Sequence, residues 1–367
     1  MKMTSNKFRG RASVTNPDNR YAAWQREAAD DGWWQEAEDE LAPIATELII
    51  DTAKTLISYN SSPDIPYDRS INPYRGCEHG CAYCFARPSH AYLGLSPGVD
   101  FETKLAYKPD AAELLRKELA KPNYVCAPIA LGINTDAWQP VERRLRVTRS
   151  ILEVLAECRH PVSVISKSAL VLRDIDLLAD MAKDNLVHFA VSITSLDPNI
   201  ARTMEPRAAS AQRRLAVIRE LVAAGIPVTV LVAPLIPALT DHELESILEA
   251  AAAAGATSAQ YILLRLPLEV KPLFNDWLVR NQPDRAEHVY SLLRQMHGGK
   301  EYDSRFGQRQ RGSGPVADII AQRYRSAAKR LGLNNPLPRL DCSRFMPPVV
   351  ATAMAKPSPE PPQLSLF

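Results

Sequence analysis

Five short runs rich in aliphatic and β-branched residues recur between residues 127 and 266: APIALGIN (127–134), PVSVISKS (161–168), VHFAVSIT (187–194), PVTVLVAP (227–234) and AQYILLRL (259–266). They start 26 to 40 residues apart. Amphipathic stretches fill the gaps at 110–120, 143–158, 172–183, 211–224 and 240–254. A strand short enough to be buried on both faces, followed by a helix of three turns, is the repeat of a parallel sheet. Gly225, Pro227 and Gly255 stand where a helix must stop before the next strand begins. A further strand over INPYRG (71–76) brings the repeats to six. Six βα units predict an α/β fold, an open and partial (β/α)6 barrel rather than a closed eight-fold one, with its site at the C-terminal strand ends.

The rest of the chain divides around this block. Residues 1–70 form a polar, irregular N-terminal extension with the aromatic cluster Trp24, Trp33 and Trp34. Residues 71–265 are the barrel. Residues 266–345 form a basic helical extension, with helices expected over 275–297 and 315–331. Residues 346–367 carry six prolines and read as a disordered tail. No apolar run approaches the ~20 residues that span a bilayer, and the polar start MKMTSNKFRGRASVTN lacks the apolar centre of a signal peptide. The expectation is a cytoplasmic protein without a membrane partner.

Net charge is only +2, but it is unevenly spread. Residues 17–50 hold nine acidic and two basic side chains, and residues 300–345 hold ten basic and four acidic. In the basic block, RFGQRQRGSG sets Arg305, Arg309 and Arg311 among glycines and amides. Such a loop is either a solvated face or a strip that lies along a phosphate backbone.

Three of the six cysteines fall in RGCEHGCAYC (75–84), spaced C-x3-C-x2-C as Cys77, Cys81 and Cys84. Clustered thiols in a reducing compartment point to metal or redox roles. A structural zinc ion needs four ligands, and His79 or His90 is a possible fourth. An iron–sulfur cube normally takes four thiolates; three leave one iron open to another ligand, as a catalytic metal requires. Cys126 and Cys158 flank core elements and read as small buried hydrophobes.

The motif C-x3-C-x2-C, with an aromatic residue before its last cysteine and this barrel pattern behind it, resembles the radical S-adenosylmethionine (SAM) superfamily. The stretch SPDIPYDRSINPYRGCEHGCAYCFARPSHAYLGLSPGVDFETK (62–104) is similar to a bacterial subgroup related to spore photoproduct lyases. The resemblance implies a [4Fe–4S] cluster on Cys77, Cys81 and Cys84. It implies SAM on the open iron, cleaved by a cluster electron to methionine and a 5′-deoxyadenosyl radical, with a flavodoxin- or ferredoxin-type protein as electron donor. It places Tyr83 against the adenine, Thr135 of NTD (134–136) on SAM, and Lys167 and Ser192 on the methionine carboxylate and ribose. Glu205 and Arg207 of MEPRAAS (204–210) are either an ion pair or part of the pocket.

Two positions depart from the lyases. Ile133 stands where they carry a hydrogen-donating cysteine, and Phe85 stands where they carry a tyrosine. Cys342, in RLDCSRF, is the available replacement donor. The implied activity is radical SAM chemistry on DNA, as repair or base modification. The alternatives are the same chemistry on RNA, protein or a small molecule, and a non-catalytic iron–sulfur or zinc protein that binds DNA. Finally, QLSLF (363–367) resembles the peptide by which bacterial polymerases and repair proteins dock on the sliding clamp, with Gln363, Leu364, Leu366 and Phe367 at the matching positions.

Overall fold

The computed structural model describes residues 11–21 and 44–349. The cluster Trp24, Trp33 and Trp34 and the terminal peptide Gln363, Leu364, Leu366 and Phe367 lie outside the described residues.

Six parallel strands form the main sheet: β1 (Arg69–Ile71), β2 (Ile129–Leu131), β3 (Val162–Ser166), β4 (Val187–Ser192), β5 (Val228–Leu235) and β6 (Ser258–Leu263). They lie in sequence order, and a short antiparallel strand, Ile57–Tyr59, is added outside β1. This is the open (β/α)6 arrangement the repeat spacing predicts. Strands run in register from Ser70 opposite Ala130 to Tyr261 opposite Val232. Val162, Val164, Val187, Phe189, Val228 and Val230 are buried, as strands covered on both faces must be.

The helices follow the amphipathic stretches: α1 (Ala111–Leu119), α2 (Val147–Glu157), α3 (Ile175–Ala182), α4 (Ala211–Ala223) and α5 (Leu244–Ala253). Each turns an apolar stripe to the sheet; in α2 it is Ile151, Leu152 and Leu155, and in α5 Leu244, Ile247, Leu248 and Ala251. The Ser210 hydroxyl caps α4 by accepting from the Arg213 amide.

Two sequence expectations are corrected here. INPYRG is not one strand: β1 ends at Ile71, and Tyr74–Arg75 joins a second sheet with Glu47–Ile50 and Lys104–Tyr107. The helix expected over 275–297 is two, α6 (Val270–Asn281) and α7 (Pro283–Met296). Pro283 cannot donate to the previous turn, so it opens a new helix instead of continuing the old one.

The extension beyond the barrel covers an exposed sheet edge. The amides of Ala259 and Leu263 on β6 donate to the carbonyls of Leu333 and Gln310, at 3.0 and 2.9 Å. Helix α8 (Pro315–Arg330) packs there through Tyr324, whose hydroxyl donates to the Ala259 carbonyl at 2.6 Å. These partners satisfy backbone groups that would otherwise invite another chain. Among the described residues, no helix is long and apolar enough to cross a membrane.

Candidate active site

A cavity of about 150 Å³ opens at the C-terminal ends of the strands. Its walls come from Gly132, Ile133, Asn134 and Asp136 after β2, Ile165, Ser166 and Lys167 at β3, Ser192 at β4, Leu231, Ala233 and Pro234 at β5, and Ile262, Leu263 and Arg265 at β6. Cys77, His79, Cys81, Tyr83, Cys84 and Phe85 form the remaining wall. The cysteine loop and the strand ends, separated by up to 188 residues (Cys77 to Arg265) in sequence, therefore face one space.

The loop is held mostly by its backbone. The Cys77 amide donates to the Phe101 carbonyl at 2.9 Å, and the Ala82 amide to the Met204 carbonyl at 2.9 Å. The fully buried Arg87 acts as a central tie. It donates to the carbonyls of Gly80, Cys81, Pro97 and Gly98 at 2.9–3.1 Å, and to Glu102 Oε1 at 2.6 Å. Glu102 in turn accepts from the amides of Ala12 and Ser13 at 3.3 and 3.0 Å. Gln139 braces the other side, accepting from the Glu78 amide at 2.7 Å and donating to the Gly76 carbonyl at 3.2 Å. These ties fix the loop geometry while leaving all three cysteines free of disulfides.

Burial pushes the Cys77 thiol well up, reinforced by Asp136 and Cys81, and pushes Cys81 up to about 12, reinforced by Glu205. Thiolates there need a positive partner, such as a bound metal centre would supply. Among the described residues, no three His, Cys, Asp or Glu side chains gather as one metal ion would require. A cube makes a different demand, with each thiolate on its own iron. Three free cysteines facing one cavity fit it. Burial holds His79 down as a base, and Asp136 Oδ2 lies 3.5 Å from its Nδ1. The rings of His90 and Phe101 meet edge to face, and neither His90 nitrogen has a partner among the described residues.

A charged group lies under the aromatic wall. The Tyr83 hydroxyl donates to Glu205 Oε1, which also accepts from Thr194 at 2.8 Å. Glu205 Oε2 pairs with Arg214, and Arg214 further donates to the carbonyls of Ser192 and Ala209 at 2.9 and 2.7 Å. Burial raises the Glu205 carboxyl, but Arg214 and Lys167 outweigh it and hold the group down at about 2. Lys167 Nζ lies 5.8 Å from the Tyr83 ring centroid. Burial pulls Lys167 down, yet Cys81 and Glu205 turn the net shift upward, so the ammonium keeps its charge.

The other expected site residues are placed as follows. Lys167, Ser192 and Tyr83 line the cavity, although the Ser192 hydroxyl is donated to the Ala233 carbonyl at 3.0 Å. Thr135 is turned away: its hydroxyl donates to the Tyr74 carbonyl at 2.8 Å, and its neighbours Asn134 and Asp136 face the cavity instead. Glu205 lies behind Tyr83, and Arg207 pairs with Glu78 at 3.3 Å, outside the lining. These two are thus not an ion pair with each other.

Cys342 is a clear correction. Its neighbour Asp341 donates its amide to the Asn185 carbonyl at 3.0 Å, just before β4, and Cys342 itself lies beside the free Cys126, before β2. Both mark the N-terminal ends of the strands, opposite the cavity, so Cys342 is no hydrogen donor there. Arg305 is paired with Asp303, Arg309 with Asp64 and the Ser62 hydroxyl, and Arg311 lies 4.3 Å over the Tyr261 ring.

Several residues of the site escaped sequence reasoning. Arg87, Glu102, Gln139 and Arg214 are scattered polar residues whose burial only the fold reveals. Asp136 belongs to NTD (134–136), where nothing in the sequence sets it apart from its neighbours. Here it accepts from the amides of Trp138 and Lys167 and from the Ser166 hydroxyl at 2.7–2.9 Å, joining the ends of β2 and β3.

The Radical SAM superfamily model matches residues 71–251. An uncharacterized protein of Mycobacterium tuberculosis is 39% identical over 232 residues, 63% of this chain and 68% of that one. An uncharacterized protein of Methanocaldococcus jannaschii is 29% identical over 197 residues, 54% of this chain and 71% of that one. Among solved structures, spore photoproduct lyase complexed with dinucleoside spore photoproduct aligns with TM-score 0.56 and 16% identity, covering 77% of this chain and 79% of that one. That similarity is one of fold.

Proposed function

The chain belongs to the radical SAM superfamily, whose members use a [4Fe–4S] cluster and SAM, and from that premise we propose that it is a radical SAM enzyme acting on DNA. The observation that carries the reading is the meeting of the three cysteines with Lys167, Tyr83 and Asp136 around one cavity at the strand ends. When bound, the cluster and SAM supply one-electron cleavage of SAM and a radical that abstracts hydrogen from substrate.

The chain's own residues then have distinct tasks. Cys77, Cys81 and Cys84 hold iron. Lys167 offers a cation to the methionine carboxylate, a charge-assisted contact. Tyr83 offers a ring, locked in place by Glu205 and Arg214. Ile133, Leu231, Ile262 and Leu263 give an apolar surface that keeps water from a reactive radical. Ile133 and Phe85 cannot donate a hydrogen atom as a thiol does. The repair of spore photoproduct to two thymines is therefore expected to be inefficient here.

The test is anaerobic reconstitution with iron and sulfide, followed by dithionite and SAM. We expect 5′-deoxyadenosine to form, and replacing any of the three cysteines by Ala to abolish both the brown colour and SAM cleavage. Full iron content in Cys81→Ala, or no cleavage by iron-replete protein, would reject the assignment. Adding undamaged, ultraviolet-damaged or photoproduct-containing DNA reads out the substrate; cleavage indifferent to all three rejects DNA.

A sliding clamp is the proposed partner of the terminal QLSLF. Apolar anchors of this kind contribute ~1.5–3 kcal/mol each when buried. Calorimetric titration of clamp should give binding to the full chain and none to a chain ending at Pro362. Equal binding by both, or by neither, removes the clamp.

A further inference from the structure

Arg265, two residues past the end of β6, is the one guanidinium lining the cavity among the described residues. Its Cζ lies 4.6 Å from the centroid of the Phe85 ring. Its Nε is fully buried and has no hydrogen-bond partner among the described residues. A buried donor left unpaired is costly, and native structures rarely retain one without a use.

The carboxylates around it are committed elsewhere. Asp64, which feels the charge of Arg265, accepts from Arg309 and from the Gly307 amide at 2.7 Å. Asp136 is used by Ser166 and by the amides of Trp138 and Lys167. Stacking engages the flat face of a guanidinium and leaves its in-plane N–H edge free. That edge presents parallel donors to a two-oxygen anion, the geometry in which arginine grips phosphate bidentately.

Resting on the DNA reading above, we infer that the in-plane edge of Arg265, braced by Phe85, receives a phosphodiester oxyanion of the substrate strand at the cavity. The basic loop at 305–311 is a poorer receptor, because Arg305 and Arg309 are already paired within the chain. Phe85 is 40% exposed, so a base beside that phosphate has an aromatic surface within reach.

The experiment titrates a fluorescent oligothymidylate five nucleotides long against the cluster-loaded protein across a salt series, by anisotropy. In parallel, SAM is titrated by calorimetry. Relative to the unaltered chain, Arg265→Gln should weaken oligonucleotide binding roughly tenfold. It should also lower the salt slope by ~0.7, the value of one single-strand phosphate contact. Arg265→Lys, which keeps the charge but loses the fork, should recover the slope without recovering the affinity. Thermal melting checks that each variant is folded.

Unchanged affinity and slope in folded Arg265→Gln overturn the inference and leave the DNA reading standing. A loss of SAM affinity with oligonucleotide affinity intact also overturns it, by assigning Arg265 to the cofactor. No oligonucleotide binding by the unaltered chain overturns both.

Discussion

At the residue scale, Glu205 shows how a buried charge can serve geometry. The carboxylate is desolvated, and Arg214 offsets that cost only because both partners are fully bonded. The outcome of these opposed effects is a carboxyl held at about 2, against an ordinary 4.5. A depressed acid contributes stability above its unfolded pKa, and that stability is lost as pH falls through the folded one. The contribution is therefore complete above pH ~4.5 and gone near pH 2, and its size is roughly 3 kcal/mol. Glu205→Gln should destabilise the protein at neutral pH by roughly 3–5 kcal/mol, since it leaves Arg214 buried and unpaired. Denaturant titrations of both proteins from pH 5 to pH 2 should show the difference shrinking as the solution becomes acid. A difference constant over that range would mean that Glu205 carries no such charge. Sequence gives little help with this pair: MEPRAAS offers Glu205 and Arg207 either as an ion pair or as pocket residues, but the chain folds so that Arg214, one helical turn into α4, is the partner of Glu205.

At the scale of elements, the barrel was legible because its physics is local. Buried parallel strands must be apolar runs, amphipathic helices must show a 3.6-residue stripe, and both patterns survive in one sequence. The runs at 161–168, 187–194 and 227–234 contain β3, β4 and most of β5. The second sheet was not legible, because Tyr74–Arg75 and Glu47–Ile50 are two and four residues long and carry no period. The cysteine loop lies between these regimes. Its spacing was plain, but the element that shapes it, Arg87 with Glu102, was not. Gly80 joins the two: its φ is +64°, and a Cβ there would lie 2.6 Å from Glu102 Oε2. Gly80→Ala thus meets both backbone strain and a carboxylate that is tied to Arg87 and cannot easily move. A loss of roughly 1–3 kcal/mol is expected, together with a clear fall in iron bound per chain after reconstitution. Wild-type iron content in a folded Gly80→Ala protein would show that the loop tolerates a shift at this point.

At the scale of the whole molecule, the N-terminal region read as a polar extension is part of the site's foundation. Arg11 donates to the Glu102 carbonyl at 2.6 Å, and the amides of Ala12 and Ser13 reach the Glu102 carboxylate. Farther on, the Val99 amide donates to the Thr15 carbonyl at 3.1 Å, and Asn16 accepts from the Asp100 amide at 2.9 Å. A polar segment without period looks like a loop in sequence; nothing in RASVTN announces that its amides will cap a buried carboxylate about 90 residues away. Such complementarity exists only after both strands of chain are placed. The closest approach is at Gly98, where a Cβ would stand 2.0 Å from the Thr15 carbonyl oxygen. No side chain fits there unless the N-terminal segment lifts. If it lifts, Glu102 loses two amide donors and Arg87 must balance that carboxylate alone. Gly98→Ala should therefore act at a distance, through Glu102 and Arg87, on the cysteines. Limited trypsin digestion should cut at Arg11 and Arg20 faster than in the unaltered chain, and reconstituted iron should fall in step with the fraction cut. Faster cutting with full iron would separate the segment from the cluster loop. Unchanged cutting would mean that the Gly98 contact is relieved without moving the segment at all.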